Sequence, residues 1–187
     1  MPTFQQFCHS FSPLTPAAAE ELFKDVKTKS FKKGEHIVKR GEVCKHLFFL
    51  NEGLAKICFV KEDKEFVMRF FADQRLFTVF DSYLTQTPSE FMLVAIEPTT
   101  LTLISYDNME ALCKKHHCME TFFRKLISIP PVRMMRRISD MLEENATERY
   151  NVFVKEYKDI LQRISLGDTA NYLGITQQSL SRIRAKK

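Results

Sequence analysis

The spacing of apolar residues changes character twice along this chain. Residues 17–29, "AAAEELFKDVKTK", place Leu22, Phe23 and Val26 on one face of a predicted amphipathic helix. Pro13 and Pro16 precede it, and Thr15 has the chemistry to cap it. From Ser30 to about Ser105 the texture is that of strands: "HLFFLNEGLAKICFV", "EFVMRFF" and "FMLVAIEPTTLTLIS" are short apolar or alternating runs separated by glycine or charged turns. No crossover helix is legible there, so an antiparallel barrel or sandwich is expected rather than a parallel sheet. From Tyr106 to Glu144 the period becomes helical. Asp107 is the expected cap of a helix through about His116. Met119, Phe122, Phe123, Leu126, Met134, Ile138, Met141 and Leu142 then form one apolar stripe. Pro130-Pro131 interrupts that stripe, which predicts two helical segments with Pro131 near the start of the second. Helical patterns return from Ala146 onward. The whole reads as an α+β chain: an antiparallel barrel or sandwich, a long helix with a proline interruption, and a helical C-terminal unit.

The last of these patterns, "TANYLGITQQSLSRIRAKK", is the most informative. Counting from Leu166, Ala170 is fifth, Gly174 ninth, Ile175 tenth, Leu180 fifteenth and Ile183 eighteenth. A small residue at 170 permits close helix crossing. Glycine at 174 permits the left-handed turn. Leu173, Ile175, Leu180 and Ile183 bury the inner faces, and Thr176 suits the second N-cap. That is the spacing of a helix-turn-helix, whose second helix enters the DNA major groove. Gln177, Gln178, Ser181, Arg182 and Lys186 point outward, and glutamine and arginine can read adenine and guanine edges. Thr176, at a helix N-terminus, suits a phosphate. A plain helical hairpin with a polar outer face is the competing reading.

Charge sharpens the picture. Residues 1–148 hold 20 basic and 20 acidic side chains, whereas residues 149–187 hold eight and three, so the whole +5 lies in the last segment. A basic end on a neutral body fits a polyanion-binding module or a solvated tail. No apolar run reaches membrane-span length, and "MPTFQQFCHSF" lacks the features of a secretory signal. Five irregularly spaced cysteines suggest free thiols in a reducing cytoplasm. No nucleophile–base pair, paired carboxylates or phosphate loop marks an enzyme. Cys113 and His117 of "CKKHHC" could share a metal ion, but no further ligands are visible nearby, and a histidine-bearing helix end explains them. No metal or cofactor is expected.

The combination resembles the bacterial Crp/Fnr family of transcription regulators. The resemblance is carried by "FKKGEHIVKRGEVCKHLFFLNEGLAKICF" with Gly34, Gly41 and Gly53 as turn glycines, by "ATERY" (residues 146–150), and by "YLGITQQSLSRIR". It implies a cyclic-nucleotide-binding-like β-roll (a double-stranded β-helix) as effector domain over 1–116, a dimerisation helix over 117–145 and a DNA-reading domain over 146–187. It also implies a homodimer on a pseudo-palindromic duplex site and an unidentified small-molecule effector. Met119, Phe123, Leu126, Met134, Ile138 and Met141 are then the expected dimer seam. Family members that bind cyclic nucleotides carry a Gly-Glu pair and, some ten residues later, an Arg-Ser pair. Here Thr78-Val79 and Ser89-Glu90 stand at those places, so ordinary cyclic AMP binding is not expected, with Arg69 or Arg75 left to approach from another angle. An iron–sulfur sensor would need clustered N-terminal cysteines, and only Cys8 lies there. Arg133, Arg136 and Arg137 read as a solvated face or interface rim. With the sequence ending at Lys187, no hairpin wing is expected after the last helix, which would leave backbone contacts to Lys186, Lys187 and the preceding helices. The alternative function is a ligand-binding or protein-docking module that keeps this fold without specific DNA binding.

Overall fold

In a computed structural model describing residues 3–185, the strand-textured middle of the chain forms two four-stranded antiparallel sheets. Strands β1 (Lys27–Phe31), β3 (His46–Glu52), β6 (Leu76–Phe77) and β8 (Thr99–Ser105) make the first, ordered β1-β8-β3-β6. Strands β2 (His36–Val38), β4 (Leu54–Lys61), β5 (Lys64–Ala72) and β7 (Met92–Ala95) make the second, ordered β2-β7-β4-β5. The turns between them use the expected glycines. Gly53 is the tightest, at φ 114°: a Cβ there would lie 2.6 Å from the Pro98 carbonyl oxygen, so the β3–β4 turn admits no side chain.

Helix α2 (Pro16–Lys24) is capped by the Thr15 hydroxyl, which accepts from the Ala18 amide. It is shorter than the expected 17–29 helix, because Lys27–Lys29 pair with Leu101–Leu103 of β8 instead. Two helices were not expected. Helix α1 (Phe4–Phe11) is closed by a Thr3/Gln6 capping box, and α3 (Phe80–Thr85) lies between β6 and β7. Helix α4 (Tyr106–Lys115) is capped by Ser105, whose hydroxyl accepts from Asn108, so the expected Asp107 cap falls inside the first turn.

Helix α5 runs unbroken from His117 to Glu143 with Pro130 and Pro131 inside it, which corrects the expectation of two segments. Pro130 and Pro131 cannot donate to the Leu126 and Ile127 carbonyls and crowd them with their rings, yet the helix continues through both. Helix α6 (Ala146–Glu156), a 3₁₀ turn (Lys158–Arg163), α7 (Leu166–Leu173) and α8 (Gln177–Ala185) complete the described chain.

Two apolar cores result. The first fills the roll with Phe48, Phe49, Phe77, Leu47, Leu93 and Tyr83, closed by α1, α2, α4 and the start of α5. The second lies on the outer face of the second sheet. There Leu54, Cys58, Val67, Phe70 and Val94 meet Tyr150, Phe153, Tyr157, Ile160, Ile164, Ala170, Leu173 and Leu180. This sheet is therefore covered on both faces, and the C-terminal helices are packed against the roll of their own chain.

Candidate nucleic-acid interface and effector domain

The C-terminal pair of helices is built from local signals. The Ser165 hydroxyl accepts from the Asp168 amide and starts α7. Gly174 ends it in the left-handed region at φ 69°, and the Ile175 amide returns to the Ala170 carbonyl at 3.1 Å. The Thr176 hydroxyl accepts from Ser179 at 3.1 Å, capping α8. Ala170, Leu173 and Leu180 are buried between the helices, with Ile175 and Ile183 half-buried beside them.

The opposite face of α8 is polar and open. Gln177, Gln178, Ser181 and Arg182 are exposed and, with Leu166, line one shallow concave surface. Thr176 is exposed at its start; Lys186 lies outside the described residues. Gly167 was not singled out in the sequence, yet it shapes this surface: a Cβ there would approach the Gln177 amide nitrogen to 3.2 Å. A glycine at the second position of a short helix, where it lowers helix propensity, was the available signal.

Polar ties fix this unit to the rest of the chain. The "ERY" residues act together. Glu148 and Asn145 form a capping box, Arg149 donates to the Glu144 carbonyl at 2.6 Å and the Leu173 carbonyl at 3.5 Å, and Tyr150 is buried. Lys56 of β4 donates to Glu65 of β5 and to Asp168 of α7, both at 2.6 Å, and Asn171 of α7 donates to the same Glu65 oxygen. Burial pulls the Lys56 pKa down, but hydrogen bonds to Asp168 and Glu65 outweigh it and leave the pKa raised. Arg163 ties the 3₁₀ turn to Glu97, to Asp73 and to the Gly53 carbonyl. Arg137 of α5 donates to the carbonyls of Val67 and Tyr172, its guanidinium 3.7 Å from the centre of the Tyr172 ring.

The positions expected to hold a cyclic phosphate are otherwise employed. Thr78 is buried and donates to the His46 carbonyl, and Val79 is buried in the roll core. Ser89 is buried, accepts from the Phe91 amide and donates to Asp81, while Glu90 faces solvent and accepts from Arg40 at 2.9 Å. Phe71 and Phe77 stack at 4.0 Å beside them. Three of the four are thus buried structural groups and the fourth is a surface anion, an arrangement that supplies no positive partner for a phosphate.

The α5 stripe divides into two parts. Met119 and Leu126 are buried in the roll core with Phe122, and Phe123 packs against that core and Tyr83, so the first half of the stripe is used within the chain. Met134, Ile138 and Met141 are exposed. So are Leu142, at 83%, which belongs to the stripe but not to the expected seam, and Val132 and Met135, at 71% and 68%, which belong to neither. Together these six form an apolar strip on the second half of the helix. In α4, burial pushes the Cys113 thiol up to about 12, the behaviour of a packed thiol rather than a reactive one.

Residues 28–116 match the family model of the cyclic nucleotide-binding domain. No curated protein matches the sequence. Among solved structures, the chain is similar over most of its length to several bacterial regulators. A protein of Eubacterium rectale described as a Crp/Fnr-family transcriptional regulator shares 17% identity at a TM-score of 0.76, covering 95% of this chain and 87% of its own. The c-di-GMP-responsive global regulator CLP of Xanthomonas campestris shares 14% identity at 0.74, covering 92% and 91%. FixK2 of Bradyrhizobium japonicum shares 19% at 0.73, covering 86% and 83%. The fold is therefore that of Crp/Fnr-type regulators, with a cyclic-nucleotide-binding-type roll. Among the described residues, no helix is long and apolar enough to cross a membrane.

Proposed function

We propose that this chain is a sequence-specific, DNA-binding transcription regulator of the Crp/Fnr type. In this reading residues 1–116 sense, 117–145 dimerise and 146–187 read DNA, and the role is regulatory rather than catalytic. One observation carries it. Helix α8 buries Leu180 against Ala170 across a glycine turn, and it presents Gln177, Gln178, Ser181 and Arg182 together on its free face. A helix-turn-helix requires that division of labour. Thr176 suits a backbone phosphate at the start of the recognition helix. The net +5 charge of residues 149–187 supplies the non-specific attraction.

The test is a fluorescence titration with duplex DNA at two salt concentrations, followed by selection of bound sites from a random duplex library. Binding should weaken steeply with salt, and selected sites should be pseudo-palindromic. Gln177→Ala or Arg182→Ala should each cost about 1–3 kcal/mol on the selected site and less on random DNA. Equal losses on both would reject base readout by those side chains. Absence of binding at low salt would favour a docking module.

The roll enters the proposal as an effector domain that does not take cyclic AMP in the usual way. Calorimetric titration with cyclic AMP is expected to show no low-micromolar saturation, because Thr78, Val79 and Ser89 are buried and Glu90 repels a phosphate. A saturating isotherm in that range would overturn this expectation.

A further inference from the structure

Gly167 differs from the other glycines of the chain. Gly34, Gly41, Gly53 and Gly174 adopt positive φ, where a side chain is strained. Gly167 lies in the first turn of α7 with a helical backbone, where no turn requires glycine and alanine would be the better helix former. Its surroundings show what the missing side chain leaves open. A Cβ there would lie 3.2 Å from Gln177 Nε2, 3.9 Å from Gln177 Cδ and 3.7 Å from the Ser165 hydroxyl. The last two are ordinary contacts, so the cap that Ser165 forms on the Asp168 amide survives. The first is too tight, and the neighbour must give by a few tenths of an ångström.

Neither helix backbone is free to retreat. Helix α7 is tied to the roll, where Asp168 accepts from Lys56 at 2.6 Å and Asn171 donates to Glu65 at 3.1 Å. Helix α8 is held by the Thr176 cap and by Leu180, which is fully buried. The Gln177 side chain is exposed and, among the described residues, makes no hydrogen bond, so it is the part that moves. Its amide lies over the start of α7, beside the space the glycine leaves empty. Gln178, Ser181 and Arg182, at i, i+3 and i+4, share a neighbouring stripe of α8, and none of them comes within 3.9 Å of the added Cβ. A side chain at 167 therefore acts on one of the exposed polar residues and spares the other three.

We propose that Gly167 is a specificity-determining residue, which positions the Gln177 amide for a base edge by leaving room for it at the start of α7. The inference rests on the reading of α8 as a recognition helix and adds a residue of the other helix to what decides the sequence read. Gly167 itself touches no base; it acts through Gln177. A planar glutamine amide engages adenine through two hydrogen bonds at once, and both weaken when the amide is shifted or tilted. The glycine thus lowers the helix propensity of α7 and keeps one reading residue in place.

Selection of bound duplexes from a random library, followed by titration of the selected site, tests this with the full chain and its Gly167→Ala variant. Gly167→Ala should flatten the base preference at the same position of the site that Gln177→Ala flattens, and leave the other positions as they are. Affinity for the selected duplex should fall about three- to tenfold, and affinity for random duplex by less than about twofold. The loss should vanish in a Gln177→Ala background and persist in a Gln178→Ala background. The melting temperature should be unchanged or raised by up to about 3 °C, the opposite direction from a fold defect. An unchanged base preference would overturn the proposal, as would a loss that adds fully to that of Gln177→Ala. So would a lowered melting temperature with equal losses on both duplexes, which would make Gly167 a residue of the fold alone. A wild type that binds no duplex at low salt would remove the regulator reading and this proposal with it. A selective wild type whose Gly167→Ala variant keeps the full preference would remove the proposal only.

Discussion

Lys56→Ala is expected to lower the unfolding free energy by about 3–5 kcal/mol in denaturant titrations. The Lys56 side chain is only 10% exposed, and its partners Asp168 and Glu65 are 17% and 28% exposed. Removing the cation leaves two carboxylates facing each other in a partly dry interface, with the Asn171 amide still donating to one of them. A surface pair of the same geometry would contribute under about 1 kcal/mol, and a loss of that size would show the triad to be water-screened. Combining Lys56→Met with Glu65→Leu and Asp168→Leu should recover most of the loss, because no unpaired charge then remains buried.

The pH dependence follows from the sign of the shift. The folded-state Lys56 pKa is raised, so its contribution is fully present below the unfolded lysine value of about 10.4 and fades as pH rises through the folded value. The difference between wild type and Lys56→Ala should therefore stay level from neutral pH to about 10 and shrink above it. Because Lys56 joins β4 to α7, the variant should also lose the contact between roll and C-terminal helices first. That would appear as a separate, earlier transition in the melting curve.

The triad also shows where the sequence stops being legible. In the alternation Leu54, Lys56, Cys58, Val60, the lysine reads as a polar interruption. It is buried because Asp168 arrives from 112 residues away, and no local window holds both. Local rules succeeded where both partners are near in sequence. Gly174, Ala170 and Thr176 lie within seven positions, and each performs its expected mechanical task. The turn glycines 34, 41 and 53 all carry positive φ for the same reason.

The α5 stripe was read with the right period, but period alone cannot say which surface covers it. Its first half closes the roll and its second half is bare. Pro130 and Pro131 read as helix breakers because each removes a donor and crowds the carbonyl one turn back, yet α5 continues through both. Helix α1 was overlooked although Thr3 and Gln6 make a capping box and Phe4, Phe7 and Phe11 share a helical face.

The second large effect concerns the bare half of α5. Ile138→Glu is expected to convert the protein from dimer to monomer in sedimentation velocity and to reduce affinity for a pseudo-palindromic duplex by about 10²–10⁴-fold. Ile138 is 51% exposed and lies within the strip made by Met134, Met135, Met141 and Leu142, so a carboxylate there can reach water and leaves the two buried cores intact. Its melting temperature, measured at dilution where wild type is also monomeric, should match wild type. The drop in DNA affinity follows from geometry: one recognition helix then binds a half-site without the effective concentration supplied by its tethered partner. A single half-site duplex should discriminate the two proteins much less. Leu142→Glu, at the 83% exposed end of the strip, should act in the same direction. A wild type that sediments as a monomer, or an Ile138→Glu variant that remains dimeric with intact affinity, would remove α5 from the assembly and require each α8 to find its DNA alone.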